Sequence, residues 1–175
     1  MANILLTGLP GVGKTTIIKN FVARTSYSCT GFYTGEIRNE SGQRTGFSIT
    51  RIDGSMEETF ASVDFSTKHR IGKYFVDVAR FEQVALFTMV ISNPDELIVI
   101  DEIGKMELLS NKFKEQLVKC LDGQRVLATI TAKGGGTFVD NIKARSDVTI
   151  FELTRGNREA MVDWLSQEIQ PPGSV

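Results

Sequence analysis

Short runs of consecutive apolar residues alternate along this chain with stretches whose apolar positions recur every three or four residues. Ile4-Leu5-Leu6 marks a strand expected over Asn3–Thr7. Thr16-Ile17-Ile18-Lys19-Asn20-Phe21-Val22 has helical character, and that helix is expected from Lys14 to about Ala23. Phe32–Arg38 and Thr45–Ile52 are short and β-rich, and Asn39-Glu40-Ser41-Gly42-Gln43 between them has turn composition. An antiparallel hairpin near residues 31–52, inserted after the first helix, is therefore expected. Tyr74–Val78 is a further strand. Phe81, Val84, Ala85 and Thr88 recur as a helical stripe that Asn93-Pro94-Asp95 ends. Leu97-Ile98-Val99-Ile100 is uninterrupted, as a strand buried on both faces requires.

Phe113, Leu117, Cys120 and Leu121 mark another helix, and Val126–Thr131 and Val148–Leu153 two more strands. Asn157 is placed to cap a last helix through Met161, Trp164, Leu165 and Ile169. Strands alternating with helices predict an α/β fold: a mostly parallel sheet flanked by helices, with the hairpin as its antiparallel part. No repeat or linker interrupts this order. One domain over residues 1–169 is expected, with 170–175 as a frayed, disordered tail.

Composition narrows the classes. A chain of 175 residues is long enough for a sizeable core. No apolar run approaches transmembrane length, and Met1-Ala2-Asn3 lacks the basic start of a signal peptide. Cys29, Cys120 and the single histidine, His69, give neither a disulfide framework nor a zinc site, so a reducing, cytoplasmic compartment is expected. Twenty Lys and Arg face 21 Asp and Glu, with an isoelectric point near 5.9. That balance argues against nucleic acid as a partner. With no interface signal, a monomer is the default.

Candidate chemistry begins after the first strand. Gly8-Leu9-Pro10-Gly11-Val12-Gly13-Lys14-Thr15 fits G-x-x-x-x-G-K-[ST] between a strand and a helix, the context that makes it a phosphate-binding loop. Its glycines let backbone N–H groups turn toward phosphate oxygens, and the helix N-terminus adds a positive dipole end. Lys14 is placed to reach the outer phosphates and Thr15 to hold Mg²⁺. The partner expected is a nucleoside triphosphate.

Leu97-Ile98-Val99-Ile100-Asp101-Glu102 supplies the second half, an apolar strand ending in carboxylates where ligands of open α/β sheets bind. Asp101 has the position of a carboxylate that serves Mg²⁺ or its water, and Glu102 that of a base for a water in line with the γ-phosphate. Adjacent acids disfavour each other's ionisation, which a bound cation offsets. Lys105 either brings charge to the phosphates or lies on a solvated loop. Glu107 is read as capping or bracing the next helix. Thr131 is a possible γ-phosphate sensor at a strand end, and Arg145, Arg155 and Arg158 are equally open as candidate arginine fingers.

Taken together, the glycine-rich loop, Gly31–Arg38, Asp77–Glu82, Asp101-Glu102-Ile103-Gly104-Lys105-Met106-Glu107, Phe138–Lys143 and Asn157-Arg158 resemble the THEP-type nucleoside-triphosphatases. The resemblance covers nearly the whole chain and implies a RecA-like P-loop fold with Mg²⁺-dependent hydrolysis of several nucleoside triphosphates. Carried over residue by residue, it makes Glu102, Lys14 and Lys105 the catalytic candidates and Thr15 and Asp101 the metal candidates. Nucleotide binding falls to Gly8, Leu9, Pro10, Gly11, Val12, Gly13, Lys14, Thr15, Thr16, Ile100, Asp101, Glu102, Ile103, Gly104, Lys105 and Arg158. The missing Asp in Asn111-Lys112-Phe113-Lys114 removes the guanine-reading motif and fits loose base selectivity. Lys133-Gly134-Gly135-Gly136 departs from the expected pattern and suggests a mobile loop. The alternatives are a nucleotide or small-metabolite kinase, against which stands the lack of an arginine-rich lid, and an NTP-driven switch on RNA or DNA.

Overall fold

The computed structural model describes residues 3–90, 93, 95–123 and 125–170. β1 (Asn3–Thr7) leads through the glycine-rich loop into α1 (Lys14–Arg24). β2 (Cys29–Arg38) and β3 (Arg44–Arg51) form the expected hairpin, which β4 (Glu57–Ser62), β5 (His69–Ile71) and β6 (Tyr74–Val76) extend. Then follow α2 (Val78–Thr88), β7 (Leu97–Ile103) and a 3-10 turn at Glu107–Leu109. The order closes with α3 (Asn111–Asp122), β8 (Val126–Ile130), α4 (Gly136–Lys143), β9 (Val148–Glu152) and α5 (Arg158–Glu168). Met89 already caps α2. Pro94 of the expected helix break, and residues 171–175 of the expected tail, lie outside the described residues.

These strands form one sheet in the order β5-β6-β4-β3-β2-β7-β8-β1-β9. From β2 to β9 the neighbours are parallel; from β2 to β5 they are antiparallel. The sheet is thus mixed, and the hairpin is no separate insertion. The ten-residue β2 pairs Cys29–Phe32 with Leu97–Ile100 and Phe32–Arg38 with β3. Connection length explains the split: short loops allow only antiparallel neighbours, whereas the parallel strands are joined through helices or long crossovers. β8 lies between the strand feeding the loop and the strand carrying Asp101, the RecA-like arrangement.

Alternation along the parallel strands builds two cores. Ile4, Leu6, Leu97, Val99 and Leu127 face α1 and α5, meeting Ile18, Phe21 and Leu165. Leu5, Ile98, Ile100, Val126 and Ala128 face the other way, against Phe81 and Val84 of α2, Phe113 and Leu117 of α3 and Val139 and Ile142 of α4. Phe32, Phe60, Phe81 and Phe113 pack as edge-to-face and tilted pairs 5.2–6.2 Å apart in that second core. With both faces covered, the strand ends carrying the candidate residues sit on a rigid base.

Candidate active site

The glycine-rich loop spans the turn from β1 to α1. Gly8 has φ +147°, and a Cβ there would fall 2.5 Å from the Leu153 carbonyl oxygen, so only glycine allows β9's end to pack on the loop. Gly13 caps α1 in the left-handed region, and its carbonyl accepts from the Ile17 amide at 2.9 Å. The Lys14 ammonium donates to the Gly8 and Leu9 carbonyls at 2.9 and 3.1 Å, which lays its charge across the loop. Backbone donors, a lysine and the α1 dipole therefore converge on one concavity.

Asp101 follows the apolar run of β7 and is 1% exposed. Its Oδ1 accepts from the Thr129 hydroxyl on neighbouring β8 at 2.7 Å, whereas its buried Oδ2 has no partner. Burial raises its pKa. Thr129, Thr15, the Thr34 amide and the charge of Lys19 pull the other way. A buried, half-partnered carboxylate beside a threonine hydroxyl is a hard-oxygen pair suited to Mg²⁺, and the unmatched oxygen is the atom a cation would meet. Among the described residues no group of three or more His, Cys, Asp or Glu could hold a metal alone. An ion here would need oxygens from elsewhere, as Mg²⁺ bound with a phosphate chain usually does.

Glu102 is half-buried, and its pKa is raised by burial and by Asp101 while Lys14 opposes the shift. Glu107 is buried too. A Cβ placed on Gly104 would lie 2.8 Å from Glu107 Oε2 and 3.3 Å from Glu102 Oε1, so the two carboxylates flank that glycine. Desolvation, then the nearby charge of Glu102, push Glu107 up to about 8.

These groups share one cleft of about 630 Å³, lined by Gly8, Lys14, Thr15, Asp101, Glu102 and Lys105 at one end. A family model described as NTPase matches residues 3–166. The chain belongs to the THEP1 family of nucleoside-triphosphatases. Nucleoside-triphosphatase THEP1 of Thermotoga maritima is 44% identical over 162 residues, 91% of each chain. The human cancer-related nucleoside-triphosphatase is 35% identical over 179 residues, covering 91% of this chain and 92% of the relative. The crystal structure of THEP1 from Aquifex aeolicus matches with a TM-score of 0.84 at 34% identity, covering 93% of this chain and 96% of that one. The solution structure of the human protein gives 0.81 at 34% identity, with 97% and 98% covered.

Of the residues this THEP1-family chain offers from its sequence, Gly8, Pro10, Gly11, Gly13, Lys14, Thr15, Thr16, Asp101, Glu102, Gly104, Lys105 and Thr131 line the cleft. Ile100 and Ile103 do not; both are fully buried in the core, so they position the strand and offer a nucleotide no side chain. Val12 packs against the α1–α5 core and Leu9 points out, 72% exposed. Arg158 opens α5, is exposed and is absent from the cleft lining. Arg145 is no free finger, since it pairs with Asp147 and Asp122 at 2.6 and 2.8 Å.

Two other expectations need correction. Ser110 caps α3, accepting from the Phe113 amide at 2.9 Å, so of the capping or bracing expected of Glu107 only bracing remains, its carbonyl accepting from the Ser110 amide at 3.1 Å. Asn157 stands at the N-cap of α5, yet its side chain braces the preceding loop through Glu152 and Thr154. Gly134, Gly135 and Gly136 all have positive φ, and a Cβ on Gly135 would meet the Val139 side chain at 2.2 Å, so backbone geometry favours glycine in this stretch. Thr129 and Lys19 were missed. A lone hydroxyl in the all-buried Val126-Leu127-Ala128-Thr129-Ile130 must find a partner, which was the available signal for Thr129.

Proposed function

We propose that this protein hydrolyses nucleoside triphosphates to diphosphate and phosphate, with Mg²⁺ bound between Thr15, Asp101 and the phosphate chain. The supporting observation is the convergence on one cleft of the loop, Lys14, the half-partnered Asp101 and the half-buried Glu102. The named relatives are nucleoside-triphosphatases, which agrees. Loop amides hold the phosphates and Lys14 spreads its charge over the β- and γ-oxygens. The ion would neutralise charge on the leaving diphosphate. Glu102 orients a water and takes its proton as the γ-phosphorus bond forms; Lys105, at the cleft rim, offsets charge on the outer oxygens.

Broad base tolerance fits as well. Asn111 to Lys114 form the first turn of α3, with Phe113 fully buried, so that stretch offers no base-reading loop. Phosphate release should be similar, within about tenfold, for ATP, GTP, CTP and UTP. Chelation of Mg²⁺ should abolish release, and single-stranded RNA should leave it unaltered. Release that survives chelation contradicts the metal assignment; strong stimulation by RNA contradicts the simple hydrolase.

A further inference from the structure

The cleft is longer than the phosphates need. Sheet order runs from the glycine-rich loop on β1, past Asp101 and Glu102 on β7, to Thr34, Gly35 and Glu36 on β2, then Arg44 and Phe47 on β3. Ile71 of the outermost strand lines the same cleft, so the antiparallel arm curls back over the site. With the γ-phosphate read as lying at Lys14, Asp101 and Glu102, the lining beyond Glu102 borders the space left for a nucleophile. Activating water needs no wall there.

The wall present is built for a flat organic ligand. Phe47 and Tyr74 meet edge to face with centroids 5.1 Å apart. The Arg44 guanidinium sits 5.2 Å from the Phe47 ring centroid and also bonds the Tyr74 hydroxyl at 3.0 Å. Ile71 and Met106 add apolar surface. Glu36 is ion-paired with both Arg38 and Arg44, so the three groups together keep one net positive charge, and the spare lone pairs of the Glu36 carboxylate can accept from hydroxyl or amino groups.

We propose that this far half of the cleft is an acceptor subsite for a neutral nucleoside, whose base stacks on the Arg44–Phe47 wall and whose primary hydroxyl replaces water. This rests on the reading that the γ-phosphate lies at Lys14, Asp101 and Glu102. The acceptor oxygen forms the new bond to the γ-phosphorus as the bond to the β,γ-bridging oxygen breaks. The hydroxyl proton passes to Glu102, and the products are a nucleoside monophosphate and the nucleoside diphosphate.

The test incubates the full chain with Mg-ATP and millimolar adenosine, guanosine, cytidine or uridine, following labelled monophosphate and free phosphate together. At least one nucleoside should be phosphorylated, with free phosphate falling in step. Phe47→Ala should raise the KM for that nucleoside about tenfold, since base–aromatic stacking is lost. Phe47→Leu, which keeps bulk without the ring, should do the same if the alanine variant fails to fold. Undiminished phosphate release with no nucleoside phosphorylated overturns the subsite alone. So does a KM effect on ATP in place of the nucleoside, because the wall would then belong to the ATP pocket. No phosphate release from Mg-ATP under any condition overturns the hydrolase reading beneath it.

Discussion

At the scale of single residues, Asp101 and Glu102 were legible because an apolar strand ending in two acids has little structural motive. Thr129 and Glu107 were not, since their roles depend on neighbours distant along the chain or across a turn. Thr129 meets Asp101 across two strands, and Glu107 comes back beside Glu102 only because Gly104 leaves room. Glu107 has a measurable consequence. The unfolded chain releases this proton near pH 4.5, whereas the folded protein holds it up to about 8. In between, the folded state binds more protons, so its stability falls as pH rises through that window. Asp101 and Glu102, both raised, push the same way. In protein free of Mg²⁺ and nucleotide, Glu107→Gln should flatten the fall and raise Tm at pH 8, by about 2–4 °C for each kcal/mol recovered. Thermal melts from pH 5 to pH 8 check this, and an unchanged slope would remove Glu107 as the source.

At the scale of elements, the parallel strands and α1, α2, α3 and α5 follow from apolar runs and helical stripes, because burial on both faces leaves a strong signal. The antiparallel arm was only half visible. β4 buries the adjacent residues Phe60 and Ala61, and its pairing with β3 shifts register at Phe47/Ser48, which breaks the two-residue period. β5 has three residues, too few to show a period, and α4 begins at a glycine. The loop between β1 and α1, proposed above to hold the phosphates, has a geometry that demands glycine at its first position. Gly8→Ala should place a methyl against the Leu153 carbonyl and destabilise the protein by about 1–3 kcal/mol or more. A lower urea midpoint together with weaker nucleotide binding is expected; an unshifted midpoint would mean that the β9 contact yields freely.

At the scale of the whole molecule, two helical layers clamp a mixed sheet, and the strand order sets every reactive group along one edge. Sequence spacing implied the α/β class, but a pattern read one segment at a time carries no record of how far the antiparallel arm curls. That curl gives the cleft its aromatic far wall. In the mechanism proposed above, the fate of a triphosphate turns on Glu102, whose pKa is raised by burial and by Asp101 and lowered by Lys14. The most direct measurement compares Glu102→Gln with the parent chain for Mg-ATP affinity and for phosphate release in a single turnover. Affinity should be retained while release falls about 10²–10⁴-fold, the contribution of a positioned general base. Release at the parent rate from a variant that binds normally would contradict the assignment of Glu102 as the group that activates water.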